Sequence, residues 1–215
     1  DGLDWKRKKW GPVARWFIRA SERWAGRCAG RVVTDSRRVQ QYYLAQHGIA
    51  SEYIAYGAQP IAVPPGAHLR QYGLEPGRYA LFVGPLGPET CAPHWVRAWS
   101  GLATDLKCVI VGDAPYAADY IRGLHASTDP RVVFTGYVFG DGYRELLSNA
   151  FCFALTCEVG GTHPALLEAM AAGRAVVVND TPENLETVGL AGLSYDGAVG
   201  GPSLSATVER RLNRP

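Results

Sequence analysis

The stretch EVGGTHPALLEAM, residues 158–170, decides how this chain is interpreted. It follows FCFAL at 151–155, a continuous apolar run typical of a buried strand. Two adjacent glycines then precede Pro164, which suits the first turn of a helix because its missing N–H costs nothing there. Gly173 ends the predicted helix, and AVVV at 175–178 begins another buried strand. The spacing therefore predicts a strand, a glycine-rich loop, a helix and a second strand.

The loop between this strand and this helix has the chemistry of an anion-binding site. Gly160 and Gly161 let the backbone approach a ligand closely, and the first turn of a helix directs free N–H groups toward it. Glu168 lies one turn into the helix, where its carboxylate can accept hydrogen bonds from a pair of sugar hydroxyls. On spacing alone, two interpretations stay open: a cradle for a nucleotide-sugar, or an ordinary crossover with a glycine turn.

Composition indicates a globular protein of ordinary size. The chain has 215 residues, 47% hydrophobic and 20% charged, enough for one large domain or for one domain and part of another. No apolar run approaches the roughly 20 residues that span a bilayer, and the first residues do not resemble a signal peptide. The five cysteines form no C-x-x-C pair, which favours buried free thiols in a reducing compartment over a zinc site.

The net charge of +2 conceals a basic N-terminal region. Residues 1–47 contain eleven Lys and Arg against four Asp and Glu, a balance of +7, which leaves −5 for the rest. The basic run 6–9 is flanked by tryptophans, and a helix predicted from Pro12 carries apolar residues on one face and four arginines on another. That helix can lie on an anionic membrane surface, or it can dock its aromatic face on a sheet. A nucleic-acid interface is not favoured, because the remainder is acidic and contains no recognition module.

Taken in order, the chain alternates strands and helices on both sides of one irregular segment. Residues 1–56 read as the later part of a Rossmann-like domain, in which Asp35 or Ser36 caps a helix that ends near Gly48. Residues 57–78 are rich in proline and glycine and are the predicted linker. Residues 79–197 are the predicted ligand-binding domain, and 198–215 a basic tail with one helix. Strands are predicted at 31–34, 52–55, 79–83, 108–111, 131–134, 151–155, 175–178 and 192–195.

The predicted fold class is therefore α/β, with a parallel sheet covered by helices on both faces. Ligands of such sheets bind outside the carboxyl ends of the strands. Four polar or glycine-rich turns follow predicted strands and should meet at that edge, at Gly84, Asp113, Gly136–Tyr137 and Gly160–Gly161.

Four segments together carry a family resemblance. VGGTHPALLEAMAAG at 159–173, continued by VVVNDTPENLETVG at 176–189, resembles the donor-binding segment of retaining GT-B glycosyltransferases. DGLDWKRKKW at 1–10, VGDAPY at 111–116 and RVVFTGYV at 131–138 look like the bacterial rhamnosyltransferase-like branch of the group 1 enzymes. The resemblance covers nearly the whole chain in the same order. It implies a Rossmann-like donor domain, the C-terminal half of a GT-B fold, preceded by the later part of a second Rossmann-like domain.

The resemblance also implies roles for individual residues. Glu168 matches the glutamate that binds the nucleotide ribose hydroxyls, and Tyr137 lies where the backbone meets the base. Glu158 is the nearby carboxylate that can contact the hexose, although the superfamily spaces its two glutamates by seven residues and here nine intervene. Asp1 would border the reaction centre. The loop that faces the diphosphate and sugar is formed by Gly160, Gly161 and Thr162.

The chain departs from the family pattern at the expected diphosphate cations. The loop after the first donor-domain strand usually carries an arginine and then a lysine or asparagine. In this chain Pro85 replaces the arginine, and Thr90 and Cys91 stand where the lysine or asparagine is expected. Arg174, Arg144 or residues outside this chain can substitute, and otherwise catalysis is slow or lost. His163 stands where the branch usually has asparagine, and it is interpreted as a loop hydrogen-bonder rather than a general base.

The resulting functional hypothesis is a cytoplasmic glycosyltransferase, peripheral at the inner face of a membrane through its basic helix. It would move a sugar, with rhamnose as the candidate, from a dTDP- or UDP-linked donor to a polysaccharide or lipid-linked acceptor. The resemblance implies a retaining reaction that needs no metal and no cofactor beyond the donor. The alternative hypothesis is a sugar-nucleotide-binding protein that has lost catalysis along with the diphosphate cations.

Overall fold

A computed structural model of the chain describes residues 3–7, 9–114, 118–126 and 129–213. Within them, the strands are β1 Val33–Thr34, β2 Glu52–Tyr53, β3 Tyr79–Val83, β4 Lys107–Val111, β5 Val132–Gly136, β6 Cys152–Leu155, β7 Ala175–Asn179 and β8 Leu193–Tyr195. The α-helices are α1 Pro12–Cys28, α2 Arg37–His47, α3 Ala67–Gln71, α4 Ala92–Ser100, α5 Ala118–His125, α6 Gly140–Asn149, α7 Pro164–Ala171, α8 Pro182–Val188 and α9 Gly201–Leu212.

Six of these strands form one parallel sheet in the order β5-β4-β3-β6-β7-β8. The strand β3 pairs with β4 on one side and with β6 on the other, so Phe82 faces Ile110 across one ladder and Ala154 across the other. The direction in which the chain adds strands reverses between β3 and β6. That reversal opens a crevice beyond the carboxyl ends of these two strands. The α/β prediction and its parallel sheet are therefore confirmed.

Both faces of the sheet are buried, as its continuous apolar strands predict. On one face α4 contributes Trp95 and Trp99, both fully buried, and the Trp99 indole Nε1 donates to the carbonyl oxygen of Leu106 at 2.8 Å. On the other face α6 and α7 contribute Leu146 and Leu166, which pack in a second core cluster. Burial of side chains this large contributes roughly 1.5–3 kcal/mol each, and it fixes the loops at the carboxyl edge.

The Glu186 carboxylate is one of the groups that attach the N-terminal region to the sheet domain. Glu186 of α8 accepts from the backbone N–H groups of Arg37 at 2.6 Å and Arg38 at 2.9 Å, and from the Ser36 hydroxyl at 2.7 Å. Burial opposes ionisation of Glu186, but these donors outweigh it and hold its pKa below the ordinary value. Glu186 thus caps α2 from across the domain, alongside the cap that Ser36 provides locally.

The predicted linker contains a short helix that the sequence pattern does not reveal. The helix α3 buries Leu69, and its first backbone N–H groups are satisfied by Glu145 of α6, which accepts from Gly66 at 2.8 Å and from Leu69 at 2.9 Å. At the other end of the chain, α9 packs on α4 with Leu204 and Val208 fully buried. Both terminal segments of the sheet domain are therefore held by packing, while the domain limits themselves stay a prediction.

The helix α1 begins at Pro12 as predicted, but none of its residues is buried. Val13, Trp16, Phe17 and Trp24 are each 64–81% exposed. In the described part of the chain, its aromatic face is therefore docked neither on the six-stranded sheet nor on the two-stranded sheet that β1 forms with β2. None of the helices in that part is both long and apolar enough to cross a membrane.

Candidate functional site

The turns after β3, β4 and β5 meet through backbone contacts at the carboxyl edge. Gly84 donates its N–H to Val111 at 3.0 Å, and Gly112 donates to Gly136 at 2.9 Å. Gly112 has φ +142°, and a side-chain carbon there would collide with the carbonyl oxygen of Gly84. The glycine is therefore what allows two neighbouring turns to approach this closely.

A crevice of about 330 Å³ lies at the reversal between β3 and β6. Its lining comes from the turn after β3, within residues 82–90, and from the loop after β6, within residues 155–165 but without Thr156 and Glu158. Arg7 and Lys9 of the N-terminal region complete it. Gly160, Gly161 and Thr162 all line it, so the structure brings the three predicted loop residues to one open cavity. The first turn of α7 follows this loop directly.

The loop backbone depends on glycine and on a carboxylate from the N-terminal region. Gly160 has φ +152°, which side chains rarely adopt. Asp35 accepts from the Thr162 N–H at 3.0 Å, while the Thr162 hydroxyl donates to the Asp35 carbonyl at 3.0 Å. The sequence suggested Asp35 only as a possible helix cap, and Ser36 takes that position instead. Asp35 is thus a site neighbour that sequence reasoning missed.

The Glu168 carboxylate does not line the crevice. Its Oε2 accepts from the hydroxyl of Tyr143 at 2.5 Å. Burial, and then this bond, raise the pKa of Tyr143 well above its ordinary value, so the hydroxyl stays protonated and donates. The carboxylate is half-buried between α6 and α7, one turn from the glycine loop. One of its two oxygens is therefore already occupied by a hydroxyl donor.

The other predicted site residues that the structure describes do not line the crevice. The Tyr137 hydroxyl donates to the Asp113 carbonyl at 3.0 Å, and the Tyr137 ring stacks on Phe139 with centroids 5.8 Å apart. Glu158 is half-buried and donates its backbone N–H to the Glu89 carbonyl at 2.9 Å. Asp1 lies outside the described residues.

Neither arginine suggested as a substitute diphosphate cation lines the crevice. The Arg174 guanidinium donates to the carbonyl oxygens of Ala172 and Ala150 at 3.0 and 3.2 Å, at a separate depression beside residues 61–64. Arg144 pairs with Asp141 at 3.7 Å on the same helix. Among the described residues that line the crevice, the Lys and Arg residues are instead Arg7 and Lys9.

Comparison of the sequence with known protein families identifies the family of this chain. Residues 77–206, more than half of the chain, match the family described as glycosyl transferases group 1. The chain belongs to the group 1 glycosyl transferases. Residues 1–59 match a domain of unknown function, DUF1972, and the sequence matches no protein of curated function.

Solved glycosyltransferases share this fold at low sequence identity. HepE from Anabaena, solved with UDP-glucose, superimposes with a TM-score of 0.80 at 20% identity, over 91% of this chain and 57% of HepE. Sucrose-phosphate synthase from Thermosynechococcus elongatus gives 0.76 at 18% identity, over 93% and 52% of the two chains. A glycosyltransferase from Rickettsia africae gives 0.73 at 15% identity, over 85% and 53%. This chain thus spans just over half the length of these proteins.

These likenesses confirm the predicted GT-B fold for this group 1 glycosyl transferase. Its six-stranded parallel sheet is the Rossmann-like sheet that the resemblance implied. The likeness at such identities concerns the fold alone, and the predicted rhamnosyltransferase-like branch and retaining reaction stay predictions. Across the described residues, no group of three or more His, Cys, Asp and Glu side chains forms a metal-ion site.

His163 joins the lining of the crevice in this glycosyl transferase. Burial lowers its pKa below the ordinary value, and the nearby Arg7 lowers it further. Near neutral pH the imidazole is therefore uncharged, and it adds no positive charge to the crevice. Its ring lies against Gly160, where a side-chain carbon would come within 2.9 Å of it.

Proposed function

We propose that this chain takes part in transferring a sugar from a nucleotide-diphosphate sugar, UDP- or dTDP-linked, to a hydroxyl of a polysaccharide or lipid-linked glycan. The observation that carries the proposal is the crevice at the reversal between β3 and β6, with the double-glycine loop and the first turn of α7 in its wall. Membership of the group 1 glycosyl transferases supports it. So does HepE, which has been solved with UDP and with UDP-glucose.

The chemistry that fits this crevice is departure of a nucleotide diphosphate from the anomeric carbon. The diphosphate gains negative charge as it leaves, and fixed dipoles and cations aimed at it lower the barrier. Backbone N–H groups at the start of α7 and cationic side chains would stabilise that charge without a metal. The oxygen of the acceptor hydroxyl then bonds to the oxocarbenium-like sugar with retention of configuration, and the hydroxyl proton passes to the departing diphosphate. Rhamnose is the sugar that the likeness of the sequence segments favours.

The first test is nucleotide binding by the 215-residue chain. UDP or dTDP at a hundred times its Kd is expected to stabilise the fold by about 2.7 kcal/mol and so raise the melting temperature by roughly 5–10 °C. Gly161→Val should abolish this rise, because a side-chain carbon there lies 3.1 Å from the Asp35 carboxylate and crowds the loop. Thermal melts and titration calorimetry measure both quantities.

The matched control is Gly57→Val, because a side-chain carbon at Gly57 meets nothing within 4 Å and the residue does not line the crevice. It should keep the full nucleotide response. If neither nucleotide changes the melting temperature of the unmodified chain, the proposed function fails.

A sugar-nucleotide-binding protein without catalysis is the second candidate, favoured by Pro85 at the position where the family usually has arginine. Donor turnover by the full-length protein with an acceptor extract separates the two. Nucleotide binding together with transferred sugar supports the enzyme. Binding of an intact donor that is never consumed supports the alternative.

We further propose that α1 contacts an anionic membrane surface on the cytoplasmic side. Trp16, Phe17 and Trp24 are exposed on this helix, and four arginines accompany them along it. Binding to phosphatidylserine-containing vesicles is expected to fall at least tenfold between 50 and 500 mM salt, because ions screen the arginine charges. Sedimentation with vesicles measures it. Absent or salt-independent binding contradicts the proposal.

A further inference from the structure

The group 1 loop after β3 lacks the side-chain cation expected beside the donor's diphosphate, since Pro85 holds that position. A doubly charged leaving group in a half-enclosed crevice needs compensating charge. Resting on the proposed function, we infer that Arg7 supplies this fixed positive charge from the N-terminal region, with Lys9 beside it. The diphosphate site is then assembled from the N-terminal region and the sheet domain together.

Arg7 is held in one orientation toward the crevice. It follows a short 3₁₀ turn, Asp4–Lys6, and its Nε pairs with the Asp4 carboxylate at 2.7 Å. The other oxygen of Asp4 accepts from the Trp10 indole at 3.0 Å. This chain from Trp10 through Asp4 to Arg7 fixes the guanidinium before any ligand arrives. The Arg7 side chain is only 24% exposed, and a preorganised cation of this kind stabilises an anion more than a mobile one does.

The charge of Arg7 reaches the glycine loop. It contributes to lowering the pKa of His163, after burial, and it opposes the burial that raises the pKa of Cys157. These two residues bracket the double glycine in the sequence and both line the crevice. Arg7 therefore acts on the part of the crevice that the double-glycine loop lines.

Two carboxylates help to position these cations. Asp4 is paired with Arg7 itself, and Glu89 accepts from the backbone N–H of Lys9 at 3.4 Å. Lys9 is exposed, with its ammonium 4.8 Å from the centre of the Trp10 ring. The bond to Glu89 fixes the Lys9 backbone at the crevice wall, while its side chain is long enough to adjust to a bound anion. Arg7 is thus the fixed cation and Lys9 the adaptable one.

The test compares a nucleoside with its diphosphate. Calorimetric titrations of UDP, dTDP, uridine and thymidine into the unmodified chain give the affinity gained from the two phosphates. In Arg7→Gln that gain should fall by about tenfold to a hundredfold, the range expected for loss of one or two charge-assisted hydrogen bonds. The affinity for the nucleosides should change less than threefold.

Lys6→Gln is the matched control, because it removes the same charge from an exposed residue of the same turn that does not line the crevice. This variant should keep at least a third of the affinity gained from the two phosphates. Arg7→Lys can keep the ion pair with Asp4 and so guards against misfolding. Its affinity gain from the two phosphates should fall three- to tenfold, because lysine lacks the two-pronged guanidinium group.

The outcomes separate the inference from the proposed function. If the unmodified chain binds a diphosphate and both Arg7 variants bind it equally well, the inference is overturned while the proposed function stands. If Lys6→Gln loses as much as Arg7→Gln, the effect is general charge and the inference is likewise overturned. If no nucleotide binds the unmodified chain, both fail.

Discussion

Replacing Gly112 with alanine is expected to destabilise the chain by at least about 3 kcal/mol. The residue has φ +142°, a backbone conformation essentially reserved for glycine, and an added methyl group would collide with the carbonyl oxygen of Gly84. The colliding atom is backbone, so it cannot move aside as a flexible side chain would. Relief requires the turns after β3 and β4 to separate, which also strains the bond between Gly84 and Val111.

Thermal melts measure this effect directly. At about 2–4 °C per kcal/mol for a chain of this size, the midpoint should fall by roughly 6–12 °C. Gly123→Ala is the matched control, since Gly123 lies inside α5 and a side-chain carbon there meets nothing within 4 Å. That substitution should stabilise by about 0.5–1 kcal/mol. Equal melting temperatures for Gly112→Ala and the unmodified chain would show that the two turns are not in contact.

A functional consequence follows from the position of the strained turn. Gly84 lines the crevice, so any shift that accommodates a methyl group at Gly112 also moves the crevice wall. Gly112→Ala molecules that still fold should therefore bind nucleotide more weakly than their stability alone implies.

Local patterns explain why much of the sheet domain was predictable. Continuous apolar runs such as YALFV at 79–83 specify strands buried on both faces. Proline at the start of α7 and Gly173 after it mark the helix ends. The prediction that these strands share one carboxyl edge needs only the alternation of strands and helices, because a helical crossover joins parallel strands. Each of these inferences uses neighbouring residues, and each is confirmed.

The helix α8 was missed although the sequence contains its signal. Thr181 precedes Pro182, and its hydroxyl accepts from the Asn184 N–H at 3.2 Å, which is an N-cap followed by proline in the first turn. The helix is only seven residues long, too short for an apolar period to appear. Thr181 and Pro182 were therefore the signal from which this helix could have been predicted.

Other features could not be predicted because they join distant parts of the chain. Arg7 was grouped with its basic neighbours as a surface cluster, and only the fold brings it to a loop about 150 residues away. Glu145 accepts from the backbone N–H of Leu69 in α3, although the two residues are 76 positions apart. Asp35 accepts from the Thr162 N–H, and those two residues are 127 positions apart. Periodicity and local motifs carry no information about such pairs.

Replacing Glu168 with glutamine is expected to lower the affinity for UDP by about a hundredfold, if its carboxylate binds the ribose as the family resemblance implies. An ionised carboxylate that accepts two hydroxyls contributes roughly 3 kcal/mol through charge-assisted hydrogen bonds. The amide of glutamine has one accepting oxygen and can still receive the Tyr143 hydroxyl. The fold should therefore keep its stability while the second hydroxyl and the charge are lost.

The ratio of the affinities for UDP and for its 2′,3′-dideoxy analogue shows whether Glu168 binds the ribose. Calorimetry on UDP and on its 2′,3′-dideoxy analogue gives the contribution of the ribose hydroxyls in each protein. In the unmodified chain UDP should bind far more tightly, and in Glu168→Gln the two ligands should bind within about threefold of each other. Tyr143→Phe is the control, because it removes the competing hydroxyl and leaves the carboxylate in place; it should preserve the preference for UDP.

Because Glu168 is paired with Tyr143, the same measurements distinguish two roles of Glu168: binding ribose, or joining α6 to α7. If ribose displaces the Tyr143 hydroxyl, the carboxylate exchanges one neutral donor for two, and the preference for UDP must depend on Glu168. If the pair instead serves only to tie α6 to α7, then Glu168→Ala should cost stability, about 1–3 kcal/mol for a half-buried unpaired hydroxyl, and leave the preference intact. In that case the ribose would have to be bound by the residues that line the crevice itself, and the role implied for Glu168 by resemblance would be wrong.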